Sequence, residues 1–218
     1  MVDELAKVLP RENIILATTT NPLDSPLVDL ANALGIPSYR GDENDVLRRF
    51  IDTIEHFNLT SVLRICTDNP FLRSEYIKVL CDRFSKEEKE YMTFEFPDGT
   101  PIMKSHIGLF AEIMSASFLR RLDRITSQRL YREHVTNYVY EHRGDFETTF
   151  IPVPEAVANR RDIRLTIDTP GDFEVAQALY QELMKNKGYF SVEDLVKMID
   201  SHPEFIQRME REIERNSK

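Results

Sequence analysis

The stretch Arg64-Ile65-Cys66-Thr67-Asp68-Asn69-Pro70 ends an apolar run on a carboxylate. Leu165-Thr166-Ile167-Asp168-Thr169-Pro170 does the same further along the chain. In open α/β sheets, ligands bind outside the carboxyl ends of the strands. If the two strands are neighbours, Asp68 and Asp168 converge at one sheet edge. That pair suits Mg²⁺, a hard cation that takes oxygen ligands and shares its shell with substrate phosphates. Metal bridging of phosphate oxygens recurs in phosphoryl and nucleotidyl transfer. The competing reading is that each Asp caps the helix that follows it. Arg64 lies inside an otherwise apolar strand, and a buried arginine requires an anion or a carboxylate. A substrate phosphate or carboxylate would make Arg64 catalytic, and a salt bridge would make it structural.

Other chemistry-bearing groups fall at strand ends or on helix faces. "ATTT" holds Thr18 and Thr19, and "YRG" holds Arg40. Hydroxyls and backbone groups there could read a nucleobase, and ordinary turn chemistry accounts for them equally well. "KSHIGLFAE" sets Lys104, His106, Gly108, Phe110 and Glu112 in period-two register. On a strand they would form one polar face, either a pocket wall for substrate or an exposed edge. "YREHVTNY" places Arg132 and Thr136 one helical turn apart, off the apolar stripe of Tyr131, Val135 and Tyr138. His134 beside them can carry a proton or bind an anion when charged. A solvated helix face is the alternative.

These residues need a scaffold, and the chain alternates extended and helical patterns as an α/β fold with parallel strands does. Strands are expected at "NIILATTT", "PSYRG", "SVLRICT", "EYMTFEF", "IMKSHIGLFAEIM", "FETTFIPVP" and "IRLTID". Between them, Leu27, Leu30, Ala31 and Leu34 have helical spacing up to a stop at Gly35. Val46, Phe50, Ile54 and Phe57 mark a second helix, and a third spans roughly Ser74 to Phe84. "SQRLYREHVTNYVYEHR" reads as one further helix. Pro170 opens another that runs to about Met184. The boundary is drawn at 186, with 1–186 as the α/β domain and 187–218 as a helical appendage. In the appendage Ser191 and Asp194 have capping-box spacing, and His202-Pro203 breaks the helix they start.

The 218 residues suffice for a sizeable core. A net charge of −9 argues against nucleic acid as a partner, while local arginine and lysine clusters still admit small anions. No apolar run approaches a membrane span, and the start "MVDELAKVLP" lacks the basic end and apolar core of a signal peptide. Cys66 and Cys81, without a ligand pattern around them, read as free thiols of a reducing compartment. The expectation is a cytoplasmic protein.

In order and spacing, "ATTTNPLDSPLVDLANALGIPSYRGDENDVLRRF", "RICTDNPF", "FPDG", "REHVTNYVY" and "IRLTIDTPGDFEVAQALY" resemble the cytidylyltransferases of the spore-coat polysaccharide type. Those proteins are relatives of the enzymes that make CMP-activated sialic acids. The resemblance covers most of residues 1–185. It implies a Rossmann-like, three-layer nucleotide-diphosphosugar transferase fold with a mostly parallel sheet. It also implies Mg²⁺-dependent transfer of CMP from CTP to a sugar or sugar acid. By the same resemblance Asp68 and Asp168 match metal-binding acids. Thr18, Thr19 and Arg40 fall in segments that face the nucleotide, and Arg132 and His134 near the acceptor sugar. A homodimer is admitted.

The chain departs from that pattern in two places. It lacks the family's first strand and the following glycine-rich triphosphate loop, and no glycine precedes Gly35. The missing strand is normally central, so the sheet is expected to be open in its middle. After the Pro-Asp-Gly turn stands "TPIMKSHIGLF" where much of the family has a Gly-Leu-Asp-Val-Glu-like run. Three readings follow: a CMP-sugar synthase whose start lies upstream of Met1, a relative that binds nucleotide sugars without catalysis, and a subunit completed by a partner chain.

Overall fold

The computed structural model describes residues 1–187 and 189–216. Among the described residues six strands form between helices: β1 (Leu16–Thr19), β2 (Ser38–Gly41), β3 (Ser61–Arg64), β4 (Tyr91–Glu95), β5 (Glu112–Ser115) and β6 (Thr148–Pro152). They make two sheets, a parallel pair β1-β2 and a four-stranded sheet in the order β3-β5-β4-β6. Within the larger sheet β5 runs against β3 and β4, and β4 runs parallel to β6. Parallel strands need long crossovers, and the helices supply them. The architecture is the expected α/β one, and the strands are divided between two sheets rather than joined in one.

Local chemistry sets the helix ends. The Asn21 side chain accepts from Leu23 N–H ahead of the helix Ser25–Leu34, which stops at Gly35 with φ 67°. That left-handed stop costs glycine nothing. Asp45 accepts from Arg48 N–H to start the helix Val46–Phe57. The helix Ser74–Phe84 forms as its pattern indicates. The Pro-Asp-Gly turn closes with Gly99 at φ 80° and Phe96 N–H bonded to Thr100 O.

Alternate strand residues feed two apolar cores, one on each face of the larger sheet. Tyr91 and Met114 join Leu47, Ile54, Phe118 and Leu122 on one face. Met92 and Ile113 join Ile77, Leu80, Leu179 and Ile199 on the other. The appendage contributes to this second core through Val192, Leu195 and Met209, and Ser191 and Asp194 complete the expected capping box. Among the described residues no helix is long and apolar enough to cross a membrane.

Four expectations about local structure change. The segment around 129–141 is two short helices, Arg129–Glu133 and Asn137–Glu141, separated at His134 with ψ 74°. The break turns Val135 and Val139 into the core and Thr136 towards Glu112. "IMKSHIGLFAEIM" is extended only from Glu112, because Ile102–Lys104 forms a 3₁₀ turn and Gly108 adopts φ 60°. Lys104, His106 and Glu112 therefore share no strand face. "IRLTID" joins no regular strand, although Leu165 N–H bonds His106 O and Ile167 N–H bonds Asp68 O. On the helix Val46–Phe57 the buried residues are Leu47, Ile51, Thr53 and Ile54, so the core-facing stripe is rotated from Val46, Phe50 and Phe57.

Candidate active site

The end of β3 leads through Cys66 to Asp68, and the bond from Ile167 N–H to Asp68 O (2.9 Å) lays the Asp168 segment alongside. A small cavity of about 40 Å³ opens there between Cys66, Asp68, Asn69, Ser105, Gly108 and Thr166. Gly108 is required by its backbone and by the space it leaves. Its φ is +60°, and a Cβ on it would lie 3.1 Å from Leu165 O and 3.2 Å from Asn69 Oδ1.

Asp168 does not cap the helix Pro170–Lys187. The backbone N–H groups of Asp168 and Thr169 bond to Asp172 Oδ2 at 3.0 and 2.9 Å, and Asp172 N–H bonds to Thr169 Oγ1 at 3.1 Å. The capping alternative fails for Asp168 because Asp172 and Thr169 perform that task. The Asp168 carboxylate is instead held from beneath. Its Oδ2 accepts from Arg164 Nη2 at 2.8 Å and from Thr166 Oγ1 at 3.2 Å, and the side chain keeps 42% exposure.

Arg164 is fully buried and clamped on three sides. It donates to both Asp172 oxygens, Nε to Oδ1 at 2.7 Å and Nη2 to Oδ2 at 2.9 Å, and Nη1 meets His106 Nδ1 at 2.6 Å. Such a bidentate pair fixes the guanidinium plane. Burial pushes the Asp172 carboxyl up, but hydrogen bonds from Arg164 and the Asp168 N–H, with the Arg164 charge, hold it below its ordinary value. His106 thus lies behind Asp168, packed on Arg164. Neither Arg164 nor Asp172 was singled out from the sequence. The available signal was an arginine in an apolar run, the same one that drew attention to Arg64.

At the ends of β1 and β2 a second cluster forms. The hydroxyls of Thr18 and Thr19 both donate to Asp24 Oδ2. Arg40 donates Nε to Thr19 O at 2.9 Å and Nη2 to Asn21 O at 2.7 Å. Hydrogen bonds from Thr19 and Thr18 hold the Asp24 carboxyl below its ordinary value. The three residues come together at this loop, the threonines on Asp24, an acid not singled out from the sequence. Their donors shape the 19–24 loop.

Arg64 finds a carboxylate on the neighbouring strand. It pairs with Glu112, which has no exposed side-chain surface and also accepts from Tyr91, from Tyr140 (3.0 Å) and from Thr136 (3.3 Å). Burial would lower the Arg64 guanidinium, and the Glu112 charge reverses this and holds it above its ordinary value. Burial, with the Glu112 charge, drives the Tyr91 and Tyr140 phenols upward, so both remain donors. Lys104 lies over the Tyr140 ring at 5.4 Å. Arg132 is bound by Asp45 at 2.6 Å and Asp123 at 2.9 Å, while His134 stands exposed at the helix break. Arg132 and Thr136 do not share a face.

A sequence model of cytidylyltransferases matches residues 2–197, nearly the whole chain. The chain belongs to the cytidylyltransferase family. The match spans β1 to β6 and both acid-bearing loops of this cytidylyltransferase. It is 31% identical over 206 residues to an uncharacterized protein of Methanocaldococcus jannaschii, covering 94% of this chain and 79% of that one. It is 29% identical over 195 residues to the spore coat polysaccharide biosynthesis protein SpsF of Bacillus subtilis, covering 89% of this chain and 77% of that one. Among solved structures, a cytidylyltransferase from Leptospira borgpetersenii superposes with a TM-score of 0.78 at 28% identity, over 95% of this chain and 84% of the other.

Proposed function

We propose that this cytidylyltransferase transfers CMP from CTP to a sugar or sugar acid that is destined for a surface polysaccharide. A hydroxyl oxygen of the acceptor attacks the α-phosphorus and gives up its proton to solvent water. The bond from that phosphorus to the bridging oxygen breaks, and pyrophosphate leaves. The reading draws on the family and on the part that SpsF plays by name in spore coat polysaccharide biosynthesis. We place the reaction in the cytoplasm, consistent with Cys66 and Cys81 as thiols rather than a disulfide.

One observation carries the assignment of the centre. Asp168 is released from capping by Asp172 and gripped on one oxygen by Arg164, and its segment is tied to Asp68 by the Ile167–Asp68 backbone bond. The donors are hard oxygens, and among the described residues no group of three or more His, Cys, Asp or Glu is arranged for a metal. A pair of carboxylates that leaves the remaining positions to water and substrate phosphates fits Mg²⁺. Asp68 and Asp168 would hold it, and the ion would neutralise the charge developing on the leaving pyrophosphate.

The chain's own groups have separable tasks in this proposal. Arg164 fixes the direction of the Asp168 carboxylate. Thr18, Thr19 and Arg40 present the 19–24 loop to the nucleotide. Lys104 supplies positive charge on the acceptor side, Arg132, held by Asp45 and Asp123, and the exposed His134 contact the acceptor there, and His106 acts through Arg164. Arg64 and Glu112 brace the strand that delivers Asp68.

The test has two stages. Calorimetric titration with CTP and Mg²⁺ should show metal-dependent binding that Asp68→Ala and Asp168→Ala abolish. Pyrophosphate release is then followed with a panel of sugars and sugar acids. Undiminished CTP binding by both variants would overturn the assignment of the centre. Saturable binding with no release for any acceptor would overturn catalysis.

A further inference from the structure

A polar cavity lies between the start of the helix Pro170–Lys187 and the helix Pro203–Arg215, on the side of Arg164 away from Asp68. It measures about 120 Å³ and is lined by Arg164, Arg208, Arg211 and Arg215, with Asp172 and Glu212 as its carboxylates. That is several times the roughly 10–15 Å³ that a single water needs, so the space admits a small polyatomic anion.

Among the described residues Arg164 and Arg208 are paired, Arg215 is paired only loosely, and Arg211 has no ion pair. Asp172 is consumed by Arg164 and by two backbone N–H groups. Glu212 turns one oxygen to Thr169 Oγ1 and meets Arg215 only at 3.5 Å, with Arg215 72% exposed. Arg208 pairs with Glu174 outside the lining at 2.7 Å. Arg211 donates to the Gln207 carbonyl. Positions 208, 211 and 215 fall on one helix face, where like charges three and four residues apart repel. This concentration of cations stands in a chain of net charge −9.

We propose that this cavity binds a phosphate-group anion, held by Arg211 and Arg215 with Arg208 at its rim, at a site separate from Asp68. Arginine forks match the oxygen geometry of such an anion. Arg164 stands between the two sites, so occupancy of the cavity is felt at Asp168.

The test is titration calorimetry of the full chain with inorganic phosphate and, separately, pyrophosphate, at ionic strength fixed by chloride. Saturable phosphate binding is expected, weakened about tenfold or more in the Arg211→Ala/Arg215→Ala double variant. Both positions are at the surface, so the double variant should keep its circular dichroism spectrum. Asp68→Ala should leave phosphate binding unchanged. Tighter binding of pyrophosphate than of phosphate would mark the occupant as a diphosphate, and the reverse order a phosphomonoester; both support the site. No saturable binding, equal binding by the double variant, or equal loss in Asp68→Ala would overturn it.

Discussion

Replacing Arg64 by methionine removes the cation facing Glu112 and leaves the hydrophobic part of the side chain in place. Glu112 has no exposed side-chain surface, and Arg64 only 20%. Breaking a buried pair on one side costs about 3–5 kcal/mol, because the remaining charge is stranded. Here Tyr91, Tyr140 and Thr136 still donate to the carboxylate, which sets the expected cost near the lower end, about 3 kcal/mol. That is a large fraction of the ~5–15 kcal/mol that holds a domain together. Adding Glu112→Gln removes the stranded charge and keeps an acceptor for the tyrosines. The double variant should therefore recover about 2 kcal/mol relative to the additive sum. Urea unfolding of wild type, both single variants and the double variant, at constant slope, measures this coupling. A loss below about 1 kcal/mol for Arg64→Met, or additivity within about 0.5 kcal/mol, would refute the pairing. Arg64 would then be available to substrate.

Gly108→Ala should cost about 2 kcal/mol and weaken CTP binding, since a Cβ at φ +60° meets Leu165 O and Asn69 Oδ1 beside Asp68; an unchanged midpoint would refute it. Asp162 is bound by both forks of Arg160, whose hydrogen bonds hold its carboxyl below the ordinary 3.8. A depressed carboxylate stabilises the fold above its unfolded pKa, and that contribution fades as pH falls through the lower native value. Wild type should therefore exceed Asp162→Asn by up to about 1 kcal/mol at neutral pH and converge with it below pH ~3.8; an equal gap at pH 2 and pH 7 would contradict this. Met209 of the last helix is 2% exposed in the same core as Met92 and Phe94. Met209→Ala should cost about 2–4 kcal/mol within one cooperative transition, whereas a separate early transition would show that the tail unfolds alone.

The sequence by itself determined the elements that short-range interactions decide. The helix Ser74–Phe84, the start at Pro170, the Ser191–Asp194 capping box and the Pro-Asp-Gly turn depend on neighbours within about four residues, so they can be read directly from the order of side chains. Together with the ordered motifs, they sufficed for the α/β class and the family. The tertiary structure decided what depends on distant partners. Glu112 comes to Arg64 from 48 residues away, and His106 to Arg164 from 58. Thr136 faces Glu112 because the segment around His134 breaks, which helical periodicity alone does not foretell. Asp68 and Asp168 looked equivalent as strand-ending acids. The difference of Asp168 from a helix cap rests on Asp172, whose burial with Arg164 exists only once the chain has closed around it. A charge or hydrogen bond buried in a low-dielectric interior depends on which groups the fold brings within reach, and sequence spacing carries little of that information.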